Sequence, residues 1–381
     1  MKTFDLVATC AFGLEKLLKF ELIDLGFSEF SVSDGKIEFT GNVSDICRCN
    51  INLRTANRVF IKVGEVSSRT FDELFEGVKK IDWAMYLPAN AEFPVSKVSS
   101  LKSFLVSKPS IQSITKKAIV DKLKIQHKAS ILPETGAKYA IHVHIRNDIA
   151  SILIDTSGES LNKRGYREKG NLAPIKETLA CALVKIATRY PEKDVILDPL
   201  CGTGTILIEA AMLAKNIAPG LKRNFVSQTW DLIDENYWNE ALNEAKNAER
   251  KDVKFKFYGS DIDSLAIKIA KENAKKAGVA SYLEFKVADL RDITPPCERG
   301  IIICNPPYGE RLMDEKNVLQ LYRDMGDKFF EDFPGWDYFV LTSNNAFEKA
   351  MDARADKNRK LFNGKILCYL YQYFNQKSYG K

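Results

Sequence analysis

Beyond residue 194 the chain alternates between short apolar runs and amphipathic stretches, and this rhythm limits the folds open to it. VILD (195–198), KFKFYGSD (254–261), YLEFKVADL (282–290), GIIICNPP (300–307) and DYFVLTSN (337–344) read as strands. ILIEAAMLAKN (206–216), DSLAIKIAKENAKKAG (263–278) and VLQLYRDMGDKFFEDF (318–333) carry apolar residues at helical spacing. Strands that alternate with helices pair in parallel through right-handed crossovers. The expected class is therefore α/β, a mostly parallel, doubly wound sheet. The run 359–374 closes the chain as a hairpin turned at Asn363-Gly364, and the stretch from about 217 to 252 reads as a helical insertion.

The first 160 residues follow a different rhythm. Residues 1 to about 65 give the order strand–helix–strand–strand–helix–strand, with a hairpin signal at Asp34-Gly35; this is the order of a ferredoxin-like unit. Residues 66 to 160 mix helices and strands with much lysine. The helical run SIQSITKKAIVDKL turns Ile111, Ile114, Ala118 and Leu123 to one side. Two strands meet across Asn147-Asp148, and on the first of them His142 and His144 share a face. HxH alone is a fragment of a metal site, so a structural or ligand-facing role is expected. A basic, glycine-containing connector, residues 157–174, leads into the second half.

The apolar fraction of 45% supports a full core, and no run approaches eighteen apolar residues, so no membrane span is expected. The N-terminus has no apolar signal core, and eight cysteines lie scattered without a CxxC pair. These features suit a cytoplasmic protein with reduced thiols and no metal. The net charge is +6, but residues 95–170 hold fourteen Lys+Arg against six Asp+Glu, an excess of +8 that leaves −2 for the rest. A basic segment beside a near-neutral remainder suits a polyanionic partner.

In a doubly wound sheet, ligands bind outside the carboxyl ends of the strands. Four of those ends carry chemistry. DPLCGTGT (198–205) combines an acid with Gly202 and Gly204, which let the backbone approach a ligand just before a helix begins. It is not a dinucleotide loop: the third glycine position is Leu207, and the next strand-end acid, Asp261, follows Gly204 by 57 residues where about twenty are wanted. No Lys-Ser/Thr pair follows, so it is not a P-loop either. Asp261 in DID suits two ribose hydroxyls, and Asp289 in ADL suits an amine. Residues 305–308, NPPY, offer an amide, two rigid prolines and a flat ring at a strand end, which together could hold a planar amine. Each acid alone reads as a cap or turn residue; the ordered set of four reads as a site.

DPLCGTGT, DID, ADL and NPPYGER resemble the ordered motifs of class I S-adenosylmethionine methyltransferases that act on amino groups. The preceding half resembles a THUMP domain with its ferredoxin-like partner. LNKRGYR and APIKETLA resemble the signature of bacterial THUMP-bearing guanine-N2 methyltransferases of large-subunit (23S) ribosomal RNA, a family often labelled as N6-adenine-specific DNA methylases because of NPPY. Asn162 departs from the histidine expected there.

The resemblance implies a ferredoxin-like domain over 1–65, a THUMP RNA-binding domain over 66–160, and a Rossmann-like methyltransferase domain with a seven-stranded sheet over 161–381, its linker being 161–175. It implies S-adenosylmethionine as cofactor. Asp198, Pro199, Cys201, Gly202 and Gly204 would face the methionine part, Asp261 and Ile262 the ribose side, and Asp289 and Leu290 the adenine, with Lys176, Glu177 and Thr178 closing the pocket. Asn305, Pro306, Pro307 and Tyr308 would face the target base. Lys163, Arg164, Tyr166 and Arg167, with Lys97, Lys102, Lys108, Lys116 and Lys117 as weaker candidates, would grip RNA. A tRNA guanine, an adenine N6, or a non-catalytic RNA-binding role are the competing readings. The oligomeric state, a homodimer included, is left open.

Overall fold

The computed structural model describes residues 2–167, 175–189, 195–307 and 315–374. In chain order the first half runs β1 (Thr3–Cys10), α1 (Glu15–Asp24), β2 (Ser31–Ser33), β3 (Lys36–Asn42), α2 (Val43–Asn52), β4 (Ala56–Ser67), α3 (Phe71–Lys80), β5 (Val95–Leu101), α4 (Lys108–Gln126), β6 (Ile141–Arg146) and β7 (Ile149–Asp155). The second half runs α5 (Glu177–Ala187), β8 (Val195–Asp198), α6 (Thr205–Ala214), α7 (Glu235–Asn247), β9 (Lys256–Asp261), α8 (Ser264–Ala277), β10 (Leu283–Val287), β11 (Gly300–Cys304), α9 (Glu315–Asp332), β12 (Trp336–Thr342), α10 (Phe347–Ala350), β13 (Lys357–Asn363) and β14 (Ile366–Tyr373).

Each half builds one seven-stranded sheet. The first has the order β2-β3-β1-β4-β7-β6-β5. The long strand β4 pairs with β1 on one side and β7 on the other, so the ferredoxin-like and THUMP-like parts share one continuous sheet and residue 65 lies within a strand. Alternation decides which side faces the helices. Leu6, Ile37, Val59, Ile61, Val143, Ile152 and Ile154 point into the main core, while Val7, Phe60 and Leu153 form a small cluster on the opposite face. His142 and His144 join that cluster, stacked on each other at 6.1 Å, with the His142 ring 5.0 Å from Phe60. They are packing groups. Asn147 and Asp148 both take positive φ, as the tight β6–β7 turn requires.

The second sheet has the order β10-β9-β8-β11-β12-β14-β13. Strands β10 through β12 are parallel, and β14 and β13 add antiparallel. The chain runs outward from β8 to β10, then returns to lay β11 on the other side of β8. The switch point thus falls between the carboxyl ends of β8 and β11.

The halves are joined by buried polar chemistry. Arg164 and Glu209 are both nearly inaccessible and meet at 3.4 Å. Arg164 also donates to the carbonyls of Leu161 (2.7 Å) and Arg54 (2.5 Å), and the Tyr166 hydroxyl donates to Glu209 at 3.1 Å. Gly165 between them has φ +93°, and an added Cβ would run into the Lys222 carbonyl. The insertion after α6 is a second tie: Gly220 N–H donates to the Ile51 carbonyl, and Trp230 stacks on Tyr139 at 4.3 Å while donating to the Lys138 carbonyl. Arg164 and Tyr166, expected to grip RNA, are therefore corrected. Each is 2% exposed and saturates the joint. A lone tyrosine ring among cations looks the same in sequence whether it stacks on a base or caps a buried carboxylate.

Two predictions follow from burial. Glu209→Ala strands the Arg164 charge in the core and should lower unfolding free energy by about 3–5 kcal/mol, read from denaturant midpoints. The double variant R164M/E209Q, which removes both charges and keeps an acceptor for Tyr166, should lose distinctly less. The second concerns pH. Burial, and then neighbouring positive charge, pushes His142 down to about 3 and His144 down to about 4. The folded state thus favours neutral rings, while the unfolded chain titrates near about 6.5. Stability should be full above that pH and fall as pH drops toward about 4, and the variant H142F/H144F should flatten this acid limb in pH-dependent thermal unfolding.

Candidate active site

The four strand-end motifs meet at the switch point. Asp198 ends β8, Asp261 ends β9, Asp289 follows β10 and Asn305 follows β11, and these strands lie side by side in the order β10-β9-β8-β11. Asp198 is 1% exposed and accepts from Leu200 N–H at 3.1 Å; burial, with Asp261 adding to it, pushes its carboxyl well up. The glycine loop is stitched to β9: Cys201 N–H donates to the Ser260 carbonyl at 2.9 Å, and Ser260 Oγ to the Pro199 carbonyl at 3.4 Å.

Gly202 has φ +50°, and a Cβ there would meet nothing within 4 Å, so its backbone borders open space. Gly204 has φ +79°, and a Cβ there would press on Phe285 at 2.9 Å. The first glycine leaves room for a ligand; the second lets helix α6 begin against the sheet. Asp261 accepts from Gly202 N–H (2.8 Å) and Asp263 N–H (3.0 Å), one bond to each oxygen. A carboxylate has about four acceptor sites, so about two remain for a diol. Ile262 beside it is 70% exposed, an apolar surface fit for a flat ring or sugar face.

Asp289 is more committed. It accepts from Arg291 N–H, Nε and Nη2 at 2.9, 2.9 and 2.6 Å, and these bonds lower its pKa to about 2. An amine would have to use what acceptor capacity the guanidinium leaves. Leu290 is buried below it. Glu177 is 3% exposed and held by Asn162 Nδ2 (3.2 Å) and Arg167 Nη1 (3.0 Å). Arg167 is thereby a support for Glu177 instead of the free phosphate contact expected. Asn162, where histidine is expected, supplies a hydrogen-bond donor to Glu177. Thr178 is buried in the first turn of α5.

At β11, Asn305 Oδ1 is buried and has no hydrogen-bond partner among the described residues. Such an orphan costs about 1–3 kcal/mol. The Pro307 carbonyl accepts from Tyr322 Oη at 3.4 Å, and Tyr322 meets Thr342 at 2.9 Å, so α9 and β12 brace the turn. Tyr308 lies outside the described residues. Sequence reasoning also missed Asn273, whose side chain donates to the Thr203 carbonyl at 3.2 Å and ties the glycine loop to α8. An asparagine on the apolar stripe of that helix was the available signal.

Of the expected RNA contacts, Lys97, Lys102, Lys117 and Lys163 are exposed. Lys116 is tied to Glu134 at 2.7 Å and lies over the Phe93 ring, which makes it a packing group. Among the described residues no cluster of three or more His, Cys, Asp or Glu is arranged for a metal, and no helix is long and apolar enough to cross a membrane.

The family models match in chain order: an RlmL ferredoxin-like domain over 5–60, a THUMP domain over 68–155, and an RMKL-like methyltransferase domain over 164–372. The last spans more than half the chain. This chain belongs to the RMKL-like methyltransferases.

It is 46% identical over 378 residues to the Bacillus subtilis protein named "Putative RNA methyltransferase YpsC", covering 99% of this chain and 97% of that one. It is 37% identical to the Ribosomal RNA large subunit methyltransferase K/L of Shewanella baltica, covering 93% of this chain but 51% of the relative, so it spans about half the length of the K/L proteins. The structure described as "a possible methylase from Clostridium difficile 630" superposes with TM-score 0.92 at 45% identity, covering 98% of both chains. SMU.472, crystallised with S-adenosylhomocysteine, superposes with TM-score 0.92 at 43% identity over 99% of both chains. The cofactor of this methyltransferase is S-adenosylmethionine. The open side of Gly202, the spare acceptors of Asp261 and the exposed Ile262 fit it.

Asp261→Ala removes the clamp on Gly202 N–H together with the diol acceptor. Affinity for S-adenosylmethionine in calorimetry should fall at least tenfold, about 1.4 kcal/mol, with the thermal midpoint little changed.

Proposed function

We propose that this enzyme methylates the exocyclic N2 amine of a guanine in large-subunit ribosomal RNA, in the cytoplasm. The carrying observation is Asn305 Oδ1, buried at the carboxyl end of β11 with no hydrogen-bond partner among the described residues. A buried acceptor without a donor suits a donor brought by substrate, and a nucleobase amino group brings two N–H bonds.

In this reading Asn305 Oδ1 takes one of them and the Pro306 carbonyl the other. The guanine amine is a poor nucleophile because its lone pair is delocalised into the ring. Holding both hydrogens out of the ring plane frees that pair and aims it across the switch point. The cofactor supplies an electrophilic methyl on a positively charged sulfur. Asp261, Asp198 and the Gly202 backbone keep that methyl in line, and catalysis is mainly orientation. The methylated nitrogen is acidic enough to release its proton to water. Tyr308 would stack on the base once it is turned out of its helix or loop.

The RNA assignment rests on the names of the relatives, on the THUMP match, and on the exposed lysines of the first half. Guanine N2 rests on the family resemblance of LNKRGYR and APIKETLA.

Asn305→Ala should lower methyl transfer by at least about 100-fold while cofactor affinity stays within about twofold, since the amide contacts only the base in this scheme. Wild-type protein should label large-subunit ribosomal RNA in preference to tRNA or duplex DNA, with N2-methylguanosine found by mass mapping. Label confined to tRNA or to adenine would overturn the assignment.

A further inference from the structure

A cleft of about 440 Å³ opens where three distant segments converge. They are the β1–α1 loop, the first turn of α5, and the β13–β14 turn. Their packing is close. Gly13 has φ +87°, and an added Cβ would meet the Lys360 carbonyl at 2.8 Å, so the loop lies directly on β13. The Lys176 amide donates to Asn363 Oδ1 at 3.4 Å, fixing α5 to the turn. Neither half of the molecule forms this cleft alone.

Its lining has a definite chemistry. Lys176 and Lys365 are exposed, Asn57 contributes an amide, and no Asp or Glu belongs to the described wall. Phe12 is 52% exposed, and its ring is 5.9 Å from that of Phe362. The volume lies within the range of about 300–1,000 Å³ for small-ligand sites. Two cations with an exposed ring are the pairing that single-stranded nucleic acid finds on its binders: the cations attract phosphate, and a ring stacks on any base. Thr178 also lines the cleft, one residue from the buried Glu177 assigned to the cofactor pocket, so an occupant would lie close to the reaction centre.

We propose that this seam cleft takes one nucleotide of the RNA strand that flanks the methylated guanine, its phosphate drawn by Lys176 and Lys365 and its base against Phe12. The proposal rests on the RNA reading above and adds a subsite to it. The cleft makes substrate capture depend on both halves of the molecule at once, and it measures a fixed step from the flanking nucleotide to the target base.

The test uses the full chain, radiolabelled S-adenosylmethionine and an in vitro transcript of large-subunit ribosomal RNA. Phe12→Ala and, separately, Lys365→Glu should each raise KM for the transcript at least about fivefold, the lower end of what one stacked base contributes. Turnover at saturating RNA and cofactor affinity should stay within about twofold, and Phe12→Trp should restore KM. Unchanged KM in both variants, in a protein that still methylates the transcript, overturns the cleft and leaves the RNA reading intact. A fall in turnover or cofactor affinity without a change in KM also overturns it. A wild type that neither binds nor methylates RNA overturns the RNA reading, and the cleft with it.

Discussion

The geometry of the molecule depends on one buried ion pair. Arg164 lies on the linker and Glu209 on α6, both buried, and Arg164 also reaches the Arg54 carbonyl of the first half. Burying two charges is costly, and their attraction offsets that cost only when the remaining donors and acceptors are filled. Here they are: Leu161 and Arg54 carbonyls take the other guanidinium bonds, and Tyr166 takes a Glu209 oxygen. The Arg164 bond to the Arg54 carbonyl crosses to the first half, while the others hold the linker to α6 and to itself. That crossing bond, the Gly220 bond to Ile51 and the Trp230–Tyr139 stack together hold the second half against the first.

That orientation matters because Glu209 belongs to α6, the helix that begins at Gly204. The same helix anchors the linker at Glu209 and the glycine loop at its start. From there the coupling continues through Asp261, which holds Gly202, and through Asn273, which holds Thr203. A platform carrying exposed lysines is thus fixed relative to a strand-end pocket by side chains of which only Asp261 is also assigned to a ligand. The seam cleft is a consequence of the same arrangement, since its walls come from both halves.

The site itself combines groups already satisfied with one that is not. Asp198, Asp261, Glu177 and Asp289 all accept hydrogen bonds from the protein, which sets their directions before any ligand arrives. Asn305 Oδ1 is the exception among the described residues of the pocket. Preorganised acceptors with one left open are what an orientation-driven transfer to an amine requires.

Much of this was legible in the residues. The strand–helix alternation, the glycine loop, the ordered strand-end acids and the Asn363-Gly364 and Asn147-Asp148 turns depend on local periodicity and backbone preference, which neighbours in sequence determine. Sequence could not distinguish a cation that grips phosphate from one that fills a buried pair. Lys163 is exposed while Arg164 is buried one residue later, and Lys117 is exposed while Lys116 is tied to Glu134. It could not reveal that β4 would fuse two domain-like units into one sheet, or that Phe12 would meet Phe362 across the molecule. Local chemistry settled which elements form and which strand ends hold the glycine loop, the acids and Asn305. The partners of the polar side chains were decided by the tertiary structure, because desolvation and pairing depend on what packs against a group from elsewhere in the chain.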